Sequence, residues 1–332
     1  MSNHVTIADV ANHLGVSKST VSHALSGKRR ISTEVRRQVM EAVEELGYRP
    51  NFAARVMNTR RTGLVGVLVE NLNNPHTTAL LEELGREFSR HSIQTVLGTA
   101  DSLENKRTLL GQFSNGMVAG ILTSLPELEE KDAQKLAGGV PLITYRRHRD
   151  APLIIDFAAG TRTALSYLNE LGHRNIAIIP SDSRARHGQA DPCFAAYREQ
   201  LDLSDIPVRV FQAPEGTIQA GYAIADALFN SDATEVLAGN DAVAAGLIQW
   251  AISRGIRLPE RMSIIGHDDS PLAAMTFPPL TSLRLPIGPI AAHTVQVLMH
   301  AIDPAEAMPE ALVLIPELII RNSTSPVSSA TN

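Results

Sequence analysis

The pattern of apolar and polar residues predicts a short helix close to the start of the chain. It covers residues 6–14, with Thr6 as its N-cap and Asp9 three residues on, which is close to a capping box. Gly15 ends the helix, because glycine readily adopts the left-handed conformation that follows a helix. Residues close to each end of this helix therefore predict where it begins and where it stops.

Two further helices follow within the first fifty residues. The second is capped by Ser17 and covers residue 18 to about residue 25, so that only a tight turn separates it from the first. The third covers residues 32–46 and ends at Gly47. Its apolar residues recur at the spacing of a helix that packs on one side. They are Val35, Val39, Ala42, Val43 and Leu46.

Beyond residue 63 the pattern changes to short runs rich in Val, Ile and Leu that alternate with amphipathic helical segments. Near-continuous apolar strands separated by helices are typical of parallel sheets that are covered on both faces. The number of units favours two doubly wound subdomains with a cleft between them, although a closed eight-stranded barrel has the same local pattern. The predicted strands are residues 64–69, 94–98, 118–123, 142–145, 176–180, 208–211, 236–238 and 263–266.

Length and composition fit a folded chain of several domains. The sequence has 332 residues, of which 44% are hydrophobic and 20% are charged, too apolar for a disordered chain. No apolar stretch is long enough for a membrane span, and no secretory signal pattern opens the sequence. The single cysteine, Cys193, cannot form an internal disulfide. We therefore expect a cytoplasmic protein, with a polar disordered tail over residues 322–332.

The charge is unevenly divided along the chain. Residues 1–62 carry a formal charge of +5, whereas the remaining 270 residues carry −10. A small basic head on a large acidic body indicates a polyanionic partner for the head alone. A solvated helical surface with a chance bias of charge is the alternative.

The second helix has the chemistry of a DNA-reading helix. Two helices joined by a tight turn that contains glycine form the helix-turn-helix arrangement, in which the second helix enters the major groove. Its exposed face offers Lys18, Ser19, Ser22 and His23, which can donate to base edges or phosphates. Val21 and Ala24 are left for the core.

The chain resembles the LacI/GalR family of bacterial transcription regulators. The resemblance begins in the head, over TIADVANHLGVSKSTVSHALSGKRRIS and the third helix. It continues in family order through Asn74-Pro75, the ELGH run at 170–173, the GND run at 239–241, the IGHDD run at 265–269 and the PPLTS run at 278–282.

The resemblance implies an all-α helix-turn-helix head and an α/β core like that of periplasmic sugar-binding proteins, with two doubly wound subdomains. The implied boundaries are a head over 1–50, a hinge helix and linker over 51–62, and a core for effector binding and dimerisation over 63–321. Met57 stands where the family has a leucine that wedges into the minor groove. The alternative is that Val56 and Met57 merely cover the linker. The implied DNA contacts are Thr6, Ser17, Lys18, Ser19, Thr20, Ser22, His23, Arg30, Asn51, Ala54, Arg55 and Met57.

The resemblance also implies a small carbohydrate-related effector in the core cleft. The residues at the matching positions are Asn71, Asn74, His76, Arg146, Cys193, Asn240 and Asp268. Several depart from the family pattern: His76 replaces an aromatic residue, Arg146 replaces an acid and Cys193 replaces an arginine. We hypothesise an effector with a carboxylate or phosphate that pairs with Arg146. The alternative is a neutral sugar, with Arg146 paired to Asp156 or Asp268.

Other functional classes have less support. Asp268 and Asp269 are adjacent at a strand end and should point to opposite sides, so they do not form a paired acid site. No HExxH, CxxC, Walker or GxGxxG motif is present, so we expect no metal, no cofactor and no catalytic activity. A transport receptor would not need the basic head. The sequence therefore predicts a dimeric repressor that binds a palindromic operator and responds to a small molecule.

Overall fold

The structure is a computed structural model of the whole chain, and it divides into two compact units, Met1–Thr62 and Gly63–Asn332. Among the described residues, no helix is long and apolar enough to cross a membrane. The described residues are 5–26, 31–48, 62–70, 72–100, 102–123, 130–144, 153–180, 197–199, 208–213 and 215–327.

The first unit contains the three predicted helices, α1 (Ile7–Leu14), α2 (Lys18–Ser26) and α3 (Thr33–Glu45). The capping box of α1 is complete, because Thr6 N donates to Asp9 Oδ2 at 2.8 Å and Asp9 N donates to Thr6 Oγ1 at 3.4 Å. Gly15 ends α1 at φ +64°. The helices share one apolar core, as predicted for Val21 and Ala24. Its buried members are Val10, Ala11, Val21, Ala24, Val39 and Ala42.

The second unit begins with a four-stranded parallel sheet in the order β2-β1-β3-β4, which we call the N-subdomain sheet. Its strands are β1 (Leu64–Val69), β2 (Gln94–Thr99), β3 (Gly120–Thr123) and β4 (Leu142–Thr144). The helices α4 (Pro75–Arg90), α5 (Leu103–Ser114) and α6 (Glu130–Leu136) connect them. Parallel neighbours joined through helices are the doubly wound arrangement that the sequence predicts.

A six-stranded sheet, the C-subdomain sheet, follows in the order β12-β10-β9-β8-β6-β7. Its strands are β6 (Ile176–Ile179), β7 (Val208–Val210), β8 (Glu235–Ala238), β9 (Ser263–Asp268), β10 (Thr281–Arg284) and β12 (Glu317–Ile319). Only β12 runs antiparallel to its neighbour. The accompanying helices are α7 (Phe157–Glu170), α8 (Ile218–Phe229), α9 (Asp241–Ser253) and α10 (Pro271–Met275).

A pair of short strands and one long helix lie outside the two sheets and connect the subdomains. Strand β5 (Leu153–Ile155) pairs in parallel with β11 (Leu312–Leu314). Helix α11 (Ile287–Ile302) follows β10 of the C-subdomain sheet but packs its apolar side against α4 and β3 of the N-subdomain. The two open sheets show that the core is not a closed barrel.

The prediction of a disordered tail from residue 322 is wrong for residues 322–327. Ser323 is fully buried, accepts a hydrogen bond from Thr281 N at 2.8 Å and donates one to Ile264 O at 2.5 Å. Val327 N donates to Leu171 O at 2.9 Å. Serine hydroxyls serve here as hydrogen-bond partners for strand ends, which composition alone does not reveal. Residues 328–332 lie outside the described part of the chain.

Glu235 is an unusual member of the C-subdomain core. It lies on β8 between β6 and β9 with no exposed surface, and neither carboxylate oxygen has a hydrogen-bond partner among the described residues. Burial therefore raises the pKa of Glu235 well above its usual value, because a charged carboxylate would have to be desolvated.

Ionisation of Glu235 is expected to destabilise the fold as the pH rises. A raised pKa in the folded state means that the folded chain binds more protons than the unfolded chain above the unfolded pKa. The free energy of unfolding should then fall by about 1.4 kcal/mol per pH unit through that range. Glu235→Gln, which resembles the protonated acid, should reduce the slope measured by urea unfolding between pH 5 and pH 8 by about 1.4 kcal/mol per pH unit. The same substitution at the exposed Glu260 should leave the slope intact. An unchanged slope in Glu235→Gln would contradict the assignment.

Candidate DNA-reading helix and inter-subdomain cleft

Helix α2 presents a row of small polar side chains and one cation. Lys18, Ser19 and Ser22 are exposed, whereas His23 and Thr20 are half-buried. Ser17 caps the helix as predicted, because its Oγ accepts from Thr20 N at 3.1 Å. This face can donate hydrogen bonds to the acceptors of a major groove.

The Ser17 hydroxyl also takes part in a small network at the start of α2. Its Oγ lies 2.7 Å from Ser19 Oγ and 2.8 Å from Thr20 Oγ1. Thr6 is engaged in a similar way at the start of α1, because its Oγ1 donates to Asp9 Oδ2 at 2.7 Å. Hydrogen bonds from the backbone and side chain of Thr6 lower the pKa of Asp9. The capping groups therefore fix both helix starts, at which backbone N–H groups can meet phosphates.

The other predicted DNA contacts cannot be placed. Arg30 and the hinge residues Asn51, Ala54, Arg55 and Met57 lie outside the described residues. The same holds for three predicted effector contacts, Asn71, Arg146 and Cys193.

Three of the four remaining predicted effector contacts meet near the carboxyl ends of β1 and β9. Asn74 is the N-cap of α4, and its Oδ1 accepts from His76 N at 2.8 Å. Its Nδ2 donates to Asp268 Oδ2 at 3.3 Å, across from the N-subdomain to the C-subdomain. His76 Nδ1 lies 3.9 Å from Asp268 Oδ1. The structure therefore brings together Asn74, His76 and Asp268, although Asn74 and Asp268 are 194 positions apart in the sequence.

Asp268 is a buried carboxylate with several positive or donating neighbours. It is 7% exposed, and His267 Nδ1 lies 3.2 Å from its Oδ1 while the His267 ring stacks on Phe157. Burial acts to raise the pKa of Asp268, but His76, His267 and Asn74 together outweigh it and lower the pKa. The lowered pKa favours the ionised form of this carboxylate, which can accept hydrogen bonds at both oxygens.

Asp241 is a second buried carboxylate next to this site. Its Oδ1 accepts from Ser282 Oγ at 2.6 Å, and its Oδ2 accepts from Ser270 N at 2.6 Å. Burial, and then the charge of Asp268, raise the pKa of Asp241 to about 7. The sequence prediction missed Asp241, although its position directly after β8 and Asn240 is a usable signal.

Asn240 caps α9 and is almost fully buried. Its Oδ1 accepts from Val243 N at 2.8 Å, and its Nδ2 donates to Gly216 O at 3.1 Å. The structure therefore shows Asn240 shaping the start of α9 at the edge of the cleft. A direct effector contact by Asn240 stays a prediction.

The neighbouring acid Asp269 faces away from Asp268. Its carboxylate pairs with Arg284 Nε at 2.7 Å and with Arg321 Nη2 at 2.6 Å. The prediction that these adjacent carboxylates point to opposite sides is confirmed, and they do not form a paired acid site. Both residues have positive φ, +101° for Asp268 and +50° for Asp269, which is uncommon for residues other than glycine.

Two further residues with potentially reactive side chains, His173 and Trp250, have structural roles. His173 Nδ1 lies 3.0 Å from Thr234 Oγ1, and its Nε2 lies 3.0 Å from Ser325 O. Burial lowers the pKa of His173. Trp250 is buried and stacks on Phe229.

Comparison with known proteins bears out the resemblance found in the sequence. Residues 6–51 match the model of bacterial regulatory proteins of the lacI family, and residues 165–324 match a periplasmic binding protein-like domain. The HTH-type transcriptional regulator MalR of Streptomyces coelicolor is 32% identical over 96% of each chain. The catabolite control protein A of Priestia megaterium is 29% identical over 97% of this chain and 99% of its own.

Solved structures give the same fold. A lac repressor dimer bound to operator and the anti-inducer ONPF has a TM-score of 0.84 at 23% identity, over 97% of this chain and 99% of the other. A complex of the transcriptional regulator CelR with cellobiose has a TM-score of 0.67 at 27% identity, over 96% and 100%. MalR and CelR are both named as transcriptional regulators. Similarity along nearly the whole length, in both the helical head and the two-sheet core, means that this chain belongs to the lacI family of bacterial regulatory proteins.

Proposed function

We propose that this chain represses transcription by binding a palindromic operator, and that a small carbohydrate-related molecule in the core cleft sets its affinity for that operator. The observation that carries the proposal is the exposed polar row of α2 on a head with a charge of +5, attached to a core that buries Asp268 between its subdomains. The head supplies phosphate affinity and base contacts, while the core offers a ligand site without affinity for DNA.

In the head, each exposed group of α2 has a distinct role. Lys18 can pair with a phosphate or with guanine, and Ser19 and Ser22 can bond several base edges. Arg30 and the hinge residues Asn51, Ala54, Arg55 and Met57 are proposed to add phosphate and minor-groove contacts, with Met57 as the apolar wedge. A DNA target of this kind implies that the protein acts at the chromosome, in the bacterial cytoplasm.

Replacing Lys18 tests the DNA-reading face. Lys18→Ala should weaken binding to a sequence selected from random DNA by about 1–3 kcal/mol, because one charged donor is lost. If Lys18 contacts a phosphate, the slope of log affinity against log salt should also fall by about one. Gel shifts or fluorescence anisotropy at several salt concentrations would measure both effects.

Two controls accompany that experiment. Lys131→Ala removes an exposed lysine from the core and should leave DNA affinity unchanged. Removal of residues 1–62 should abolish binding while the core unit keeps its ability to bind ligand. If the intact protein shows no preference for any sequence over random DNA, the regulator function is excluded.

In the cleft, Asp268 is the proposed acceptor for hydroxyl groups of the effector. Its carboxylate lies beside the half-buried Asn74 and His76, which can bond the same molecule. Asn71, Cys193 and Asn240 are proposed to line the site as well. The relative CelR is described as bound to cellobiose, and another relative, from Bacillus subtilis, as a ribose operon repressor. These names support a carbohydrate, while Arg146 favours one that carries an anionic group.

The charge of the effector can be determined with a defined panel. We expect glucuronate, gluconate or a sugar phosphate to raise the unfolding temperature more than cellobiose, lactose or D-ribose. A ligand at 100 times its Kd should stabilise the fold by about 2.7 kcal/mol. Arg146→Ala should weaken the anionic ligand at least about tenfold in calorimetry, because a bidentate pair is lost.

The matched control is Arg257→Ala, which removes an exposed arginine from the core. If Arg146→Ala binds the true effector as tightly as the wild-type protein does, Arg146 is not its partner. A neutral sugar would then be the better assignment.

The homodimer is proposed to form through an apolar face of the C-subdomain. Tyr222 on α8, Ile252 on α9 and Met275 and Phe277 at α10 are all exposed, with Phe277 at 81%. The three helices pack in sequence, α8 on α9 and α9 on α10. Exposed apolar side chains on neighbouring helices are typical of an interface, and two-fold pairing would match a palindromic site.

A charged group in this face should separate the dimer. Phe277→Asp is expected to raise the dimer dissociation constant at least about tenfold, because a carboxylate would be desolvated against apolar side chains. Sedimentation velocity would show the shift to monomer. Met308→Asp, at an exposed methionine in the connection between α11 and β11, should remain dimeric. Equal dimerisation of both variants would assign the interface elsewhere.

A further inference from the structure

The two subdomains of the core make a direct polar contact at Asp268. Asn74 and His76 belong to the first turn of α4, which packs in the N-subdomain, whereas Asp268 ends β9 of the C-subdomain sheet. Asn74 Nδ2 lies 3.3 Å from Asp268 Oδ2, and His76 Nδ1 lies 3.9 Å from Asp268 Oδ1. Separation of the subdomains would break both contacts.

We propose that Asn74 and His76 form a latch on Asp268 that holds the subdomains together in the ligand-free protein and that the effector must displace. The regulatory role of the latch rests on the function proposed above, whereas the latch itself does not. An effector hydroxyl and the latch compete for the same carboxylate, so that ligand binding and subdomain contact are coupled.

The donor side of the latch is held in position by the start of α4. Asn74 Oδ1 is bound to His76 N, which leaves Nδ2 directed at Asp268. Pro75 at the first helical position fixes the backbone there. The Asn74 side chain therefore loses little freedom when it donates across the cleft, and its contact is strengthened accordingly.

The acceptor side is equally constrained. Asp268 sits at φ +101°, a strained value for a residue with a side chain, and such strain persists only where surrounding contacts maintain it. His267 holds Oδ1 from β9, while Oδ2 is left for Asn74. The carboxylate is thus turned towards the N-subdomain.

The other groups near Asp268 leave the donors of the latch free for it. Asp241 at the start of α9 already accepts from Ser282 Oγ and Ser270 N, so it does not take up Asn74 Nδ2. Arg284 and Arg321 do not compete, because both pair with Asp269 on the other side. Within the described part of the cleft, nitrogen atoms of Asn74, His76 and His267 lie within 3.9 Å of the Asp268 carboxylate.

Hydrogen exchange on the full-length protein without ligand or DNA tests the latch. Asn74→Asp keeps the capping oxygen of α4 but replaces the donor with a negative charge opposite Asp268. We expect amides of residues 263–272, in the other subdomain, to exchange about tenfold faster, since a hydrogen bond to a charged group is lost. Ser102→Asp adds the same charge at the N-cap of α5 in the N-subdomain and should leave residues 263–272 unchanged.

A reversed pair makes the test specific for the contact. Asn74→Asp combined with Asp268→Asn restores one donor and one acceptor with their positions exchanged. The amide nitrogen introduced at position 268 would face the new carboxylate at position 74, while the amide oxygen still accepts from His267. Exchange of residues 263–272 should return to within about twofold of the wild-type rate. Failure of Asn74→Asp to alter that segment, or failure of the double variant to restore it, would overturn the latch.

The outcome is separable from the function proposed above. A protein that lost the latch could still bind DNA and sugar, which the gel shift and the thermal panel would show. A protein that binds neither could still show the exchange effect and its rescue, which would leave the latch in place without its regulatory role.

Discussion

The arrangement of the core depends on how carboxylates are kept at the carboxyl ends of parallel strands. A buried charge costs several kcal/mol unless donors surround it. Asp268 meets this condition with donors from both subdomains, so that the same group that could bind a ligand also connects the two sheets. Asp241 meets it with Ser282 and with the backbone of Ser270, which tie α9 and α10 to β10.

Glu235 is a buried carboxylate for which this condition is not met. It is as deeply buried as Asp241, but among the described residues it lacks the hydroxyl and amide donors that Asp241 has, and burial raises its pKa well above its usual value. Burial alone therefore does not decide whether a carboxylate in this core carries charge. The supply of donors decides, and donors are concentrated at the strand ends that border the cleft. This difference separates the carboxylates that border the cleft from the one in the middle of the sheet.

Much of the fold could be predicted from the sequence because its signals are local. Thr6, Gly15 and Ser17 mark helix ends within a few residues, and the structure places the helices of the head accordingly. The apolar strands β1, β6 and β9 carry enough Val, Ile and Leu to be visible without partners. Strand β10 was missed because Thr281 and Ser282 look like loop residues. Their hydroxyls are satisfied by Arg321 N and by Asp241, about forty positions away, which no local pattern shows.

The cleft was predictable only in part for the same reason. Asn74 and Asp268 could be assigned to the cleft only through the family resemblance, which rests on local runs such as Asn74-Pro75 and the IGHDD run at 265–269. The contact between Asn74 and Asp268 depends on how the chain after α4 folds back to place β9 beside the start of that helix. The spacing of residues in the sequence does not show this. Ser323 behaves in the same way: it looks disordered by composition, yet it bonds Thr281 and Ile264 across neighbouring strands. In this protein, residue type predicts which side chains need a hydrogen-bond partner when they are buried. The topology of the two sheets determines which residues serve as those partners.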